Sequence, residues 1–246
     1  MGRHEFVRHD QSLDPDRANL FVDRRKFLLG SMPAVGLAAL ASTACDRTPQ
    51  TQGRAYVPTY FRTAEWEFLV AAVSRLIPTE GQGPGAIEAG VAEFVDRQME
   101  LPYGHGSYFY LQGPFHPESA AALGYQLRYT PREIYRLGID DANSASREAH
   151  GREFARLDPL SQDQFLASME EGALKLPTIP AVVLFSQLLE NTREGYFSDP
   201  MYGGNRNMIA WNWIGFPGAR ADFTDWIDLA GTEYPYGPVS IGGTRP

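Results

Sequence analysis

The chain is nearly without cysteine: Cys45 is the one thiol in 246 residues. The residues that follow it cannot form a disulfide among themselves, ligate an iron–sulfur cluster through thiolates, or attach haem through a Cys-x-x-Cys-His motif. Histidine is scarce as well. Only His105, His116 and His150 lie beyond residue 45, and none is spaced with a second ligand in a metal-site pattern. His105 and His116 share an irregular segment that could bring them together. No phosphate loop and no Gly-x-Ser-x-Gly is present. Gly81-Gln82-Gly83-Pro84-Gly85 has a proline inside and no strand before it, which makes it a loop and not a dinucleotide fingerprint. No apolar run reaches the roughly 20 residues of a spanning helix. Basic charge is also short. The whole chain carries −8; residues 1–44 hold six Lys/Arg and five Asp/Glu, which leaves 16 basic and 25 acidic residues, a formal −9, for 45–246. That balance argues against nucleic acid, whose binding rests on Lys and Arg neutralising phosphates.

What is present begins with Asp23-Arg24-Arg25-Lys26-Phe27-Leu28-Leu29 and an apolar stretch to about Ala41, broken by Gly30, Pro33 and Gly36. Arg24, Arg25, Phe27 and Leu28 read as a twin-arginine export signal behind a long polar leader, and residues 1–44 as the signal segment. Export by that route carries proteins already folded, usually around a cofactor. Ser42-Thr43-Ala44-Cys45 is similar to a lipoprotein processing box, so Cys45 is a candidate for acylation; plain cleavage after Ala41 or Ala44 is the alternative. Residues 45–59 read as a polar linker.

Residues 60–246 read as one mainly α-helical domain with long Gly/Pro/aromatic loops. About 200 residues bury one sizeable core. Thr63 is placed to cap a helix with an apolar stripe at Trp66, Leu69, Val70, Val73 and Ile77, ended by Pro78. A second helix carries Val91, Phe94, Val95 and Met99. Thr130-Pro131-Arg132-Glu133 is a capping box with proline at the first helical position. Asp158-Pro159 opens a further helix, and Pro180 a long one through Val183, Leu184, Leu188 and Leu189. Between them, Leu101–Tyr129 is aromatic and aperiodic, and Ser198–Pro217 is dense in Gly, Asn, Trp and Tyr. Glu190 and Glu194, one turn apart, form either a carboxylate pair for acid–base work or a solvated helix face beside Arg193. Nothing in the residues supports an autonomous enzyme.

Four stretches together, Gln112-Gly113-Pro114-Phe115, Gly124-Tyr125-Gln126-Leu127 with Thr130-Pro131-Arg132-Glu133, Asn191-Thr192-Arg193-Glu194-Gly195-Tyr196-Phe197-Ser198-Asp199-Pro200, and Tyr202–Arg206 with Trp211 and Ile214–Gly218, resemble the gluconate 2-dehydrogenase subunit 3 family, from about Tyr60 to Asp225. The resemblance implies the small, non-catalytic subunit of a membrane-associated, FAD-dependent sugar or polyol dehydrogenase on the periplasmic side of the inner membrane. The chain itself would hold no cofactor or metal. FAD would belong to a catalytic large subunit, and haem c to a multihaem cytochrome subunit. The small subunit would carry the signal read by the twin-arginine translocase and help its partner mature. The partner surface is expected at Tyr108, Phe109, Gln112 and Phe115 and at Tyr202, Asn205, Arg206, Trp211 and Phe216. Aromatic platforms also suit sugars, so a stand-alone periplasmic lipoprotein binding a sugar or a protein is the alternative.

Overall fold

The computed structural model describes residues 56–245 apart from 82, 121, 122, 124, 125, 230 and 233. Arg24, Arg25, Phe27, Leu28 and Cys45 lie outside the described residues, as do Gly124 and Tyr125. The described residues hold six α-helices and no strand: α1 (Thr63–Leu76), α2 (Val91–Glu100), α3 (Pro131–His150), α4 (Pro159–Glu170), α5 (Ala181–Phe197) and α6 (Ile209–Ile214). The expected mainly helical domain is what forms. None of these helices is long and apolar enough to cross a membrane.

Two helix starts follow their sequence signals. Thr130 and Glu133 form the reciprocal cap of α3, with the Thr130 amide donating to the Glu133 carboxylate at 2.8 Å. Asp158 caps α4 by accepting from the Ser161 amide at 3.1 Å. The start of α1 differs. Arg62 occupies the cap position and Thr63 is the first helical residue. The buried Glu65 carboxylate takes over the capping role, accepting from the Arg62 amide at 2.8 Å and from the Arg136 guanidinium at 2.5 Å. The inward face of α1 is Glu65, Phe68, Leu69, Ala72 and Val73, while Trp66 and Val70 stay half-buried. Phe68 faces Phe154 at 4.6 Å, whereas Trp66 lies 5.5 Å from Tyr56.

Helix α5 is the axle: it packs against α1, α2, α3 and α4. Its Leu184 and Leu188 are fully buried in the same core cluster as Phe68, Ile134 and Tyr135, each such side chain contributing about 1.5–3 kcal/mol of burial. Gly138 lets α3 approach this axle, because a Cβ there would sit 3.1 Å from the Leu184 methyls.

The entry strap of the domain is held by one carboxylate. Asp96, fully buried on α2, accepts from the Thr59, Tyr60 and Phe61 amides at 2.7, 3.0 and 3.0 Å and from the Tyr56 and Thr59 hydroxyls at 2.8 and 2.9 Å. Burial alone would push this carboxyl up. The hydrogen bonds from Thr59, Phe61, Tyr56 and Tyr60 together outweigh it and hold the group below the usual carboxylate range. At the other end, residues after α6 fold back, and the Ala219 amide donates to the Val239 carbonyl at 2.7 Å.

Candidate functional site

The C-terminal turn of α5 is built for close approach. Thr192 turns its hydroxyl onto the Leu188 carbonyl at 2.6 Å and so spends its polarity inside the helix. Gly195 faces α2, where a Cβ would lie 2.7 Å from the Phe94 ring. The chain then turns at Ser198–Asp199 and crosses back over the same place. A Cβ on Gly204 would lie 2.1 Å from the Gly195 carbonyl oxygen, and the Asn205 amide donates to that oxygen at 2.9 Å. Asn205 takes the left-handed conformation, with φ 42°. Its side chain accepts from the Ala210 amide at 2.9 Å and donates to the Ser198 carbonyl at 3.1 Å. Asp199 caps the short turn Pro200–Tyr202 through the Met201 amide at 3.0 Å. Its second oxygen accepts from the Ile241 amide at 2.6 Å.

This scaffold, the end of α2 and the aromatic loop enclose a groove of about 490 Å³. Its walls include Phe94, Tyr103, Tyr108, Phe197 and Tyr202, and Glu194 lines it as well. That volume lies within the range of small binding clefts. Tyr108 and Tyr202 leave 74% and 51% of their surface in solvent, a large exposure for rings that a stable core would hide.

A polar network that runs from the core to the surface supports the floor. The Asn191 carboxamide accepts from the Tyr135 hydroxyl at 3.0 Å and donates to the Tyr103 hydroxyl at 2.9 Å and to the Glu194 carboxylate at 2.8 Å. Burial pushes the Tyr103 phenol up to about 12; the Asn191 hydrogen bond opposes this, and the Glu194 and Glu190 charges add to it. Tyr135 is pushed well above its ordinary value, first by burial. Both phenols stay neutral, so the network's one charge is the Glu194 carboxylate at its outer end.

The structure brings Tyr108 and Tyr202 from the two expected surface segments onto one groove. Phe109 lies 6.0 Å from Tyr103, Gln112 is exposed, and Phe115 is half-buried. Arg206 pairs with Glu93 and donates its backbone amide to the Ala89 carbonyl at 3.0 Å. Phe216 is partly exposed and meets Trp211 edge-on at 5.1 Å. Asn205 and Trp211 are inside the fold: Trp211 is 6% exposed, with its indole N–H on the Phe197 carbonyl at 2.9 Å. They can shape a partner surface only by holding Ser198 and Phe197. His105 sits 2.6 Å from the Arg132 guanidinium, and His116 pairs with Glu118 at 3.5 Å. No group of three His, Cys, Asp or Glu among the described residues is arranged to hold a metal ion.

Sequence reasoning had no grip on the Asn191 network or on Phe94 and Tyr103 as walls. The signal lay in the Asn191–Pro200 stretch, which has no periodicity of its own beyond the end of a helix.

A family model described as Gluconate 2-dehydrogenase subunit 3 matches residues 63–218. The groove lies within that span, whereas a second cavity of about 370 Å³, lined by Arg220, Phe223, Trp226 and Tyr234, lies beyond it. Comparison with curated proteins and with solved structures gives no match.

Proposed function

The chain belongs to the gluconate 2-dehydrogenase subunit 3 family, and from that premise we propose that it is the small, non-catalytic subunit of a sugar or sugar-acid dehydrogenase complex on the periplasmic face of the inner membrane. The catalytic partner carries FAD and oxidises the CH–OH donor, and a multihaem cytochrome c subunit takes the electrons onward. This chain brings the export signal around Arg24 and Arg25 and supports maturation of the flavoprotein. The partner folds around its flavin in the cytoplasm and crosses the membrane bound to this chain. Such an arrangement accounts for a twin-arginine leader on a chain without a cofactor motif.

The observation that carries this reading is the family match over most of the helical domain. The exposed aromatic groove supports it, because exposed Tyr and Phe beside a shaped cleft are the residue types and geometry of interface hot spots. The test is the location of the associated flavoprotein and its dehydrogenase activity, with the native chain and with Arg24→Lys/Arg25→Lys. Retention of the flavoprotein in the cytoplasm with the variant is the expected result. A flavoprotein that reaches the periplasm regardless would overturn the escort role.

A further inference from the structure

Glu194 is an exposed carboxylate with a fixed direction and, among the described residues, no counter-ion. One oxygen is held by the Asn191 carboxamide, itself locked between the buried Tyr135 and the half-buried Tyr103. None of the ion pairs among the described residues uses Glu194. The neighbouring Arg193 points from an adjacent position on the helix, and i,i+1 residues do not face each other. Asp199, the other acid of the groove, is buried and already satisfied by the Met201 and Ile241 amides. The groove therefore offers aromatic faces and one unspent negative charge, on a chain whose residues 45–246 carry a formal −9.

From this we infer that the groove is a docking slot for an arginine side chain of the catalytic subunit, clamped between the Tyr108 and Tyr202 rings with its guanidinium on Glu194. The inference rests on the accessory-subunit reading and names the contact that reading needs. A cation over an aromatic face is attracted by the ring quadrupole. A guanidinium fits better than an ammonium, because it is planar, stacks on rings and presents a fork to a carboxylate. The Asn191 network beneath Glu194 means that the carboxylate loses little freedom on pairing, which favours binding through preorganisation.

The experiment uses the full chain and its flavoprotein, purified separately, with affinity measured by biolayer interferometry at two salt concentrations. Glu194→Gln keeps the acceptor for Asn191 and removes the charge; Glu118→Gln, in the aromatic loop but outside the groove, is the control. Glu194→Gln is expected to weaken binding about 10- to 100-fold and to flatten its salt dependence, with an unchanged circular dichroism melt. Tyr108→Leu/Tyr202→Leu is expected to give a similar loss. Phenylglyoxal treatment of the flavoprotein, which blocks arginines, is expected to erase the difference between native chain and Glu194→Gln, while acetylation of its lysines leaves that difference intact. If the native chain binds and Glu194→Gln stays within twofold of it, the slot is wrong and the accessory reading stands. If acetylation erases the difference, the occupant is a lysine and the arginine assignment fails. If the native chain itself does not bind the flavoprotein, the accessory reading falls and takes the slot with it.

Discussion

Replacing Asp96 with alanine removes one acceptor from five donors at once: three backbone amides and two hydroxyls. The amides of Tyr60 and Phe61 would be left at a buried carboxylate-sized hole, with that of Thr59 at its partly exposed rim. Each unsatisfied buried donor costs about 1–3 kcal/mol, but losses within one network do not add in full, and removing the buried charge returns part of its desolvation cost. The net loss is about 3–5 kcal/mol, the usual result of breaking one side of a buried charged site. In a domain of this size that lowers Tm by roughly 6–20 °C. The pH dependence follows from the same contacts. Asp96 is held below its ordinary range in the folded state, so its contribution is fully present above the unfolded pKa of about 3.9 and is lost as pH falls through the lower folded value. Thermal melts of native protein and Asp96→Ala should differ fully at pH 7, and the gap should narrow as pH falls below the unfolded pKa of about 3.9. Hydrogen exchange at Thr59–Phe61 separates global loss from release of the entry strap alone. A gap below about 1 kcal/mol with those amides still protected, or a gap constant from pH 7 to pH 2.5, would refute the reasoning.

Two further outcomes are expected. Gly204→Ala places a Cβ 2.1 Å from the Gly195 carbonyl and should cost about 3 kcal/mol, read as a Tm lower by about 6–12 °C; an unchanged melt would mean that the return loop yields freely. Tyr56 and Tyr103 are each raised to about 12, so their contribution to stability is complete below the unfolded pKa near 10 and drains away as pH rises toward 12. Phenolate absorbance should therefore include a late-ionising fraction that appears only with unfolding, and a single transition at pH 10 in the native protein would contradict this.

Local signals carried the fold a long way. The caps of α3 and α4 depend on residues three apart, Thr130 with Glu133 and Asp158 with Ser161, so they can be read in a line of sequence. The cap of α1 cannot, because the Glu65 that replaces Thr63 in that role is fixed by Arg136, 71 residues away. The same distance effect hid Asp96, a lone acid on an amphipathic helix whose donors lie 35–40 residues earlier. The groove is more remote still from any local pattern: Phe94, Tyr108, Glu194 and Tyr202 meet only after α2 and α5 have packed. Composition identified the two aromatic segments as surfaces to watch. It had no means of separating Tyr202, which faces solvent, from Trp211, which faces the core.

Asp199 has two oxygens and two clients: the turn that carries Tyr202, and the Ile241 amide of the tail. Anything that tightens the turn steadies the tail, and by thermodynamic reciprocity anything that loosens the tail slackens the turn. If a partner fills the groove, slower hydrogen exchange at the Ile241 amide is the expected remote sign of it, at a residue no partner need touch.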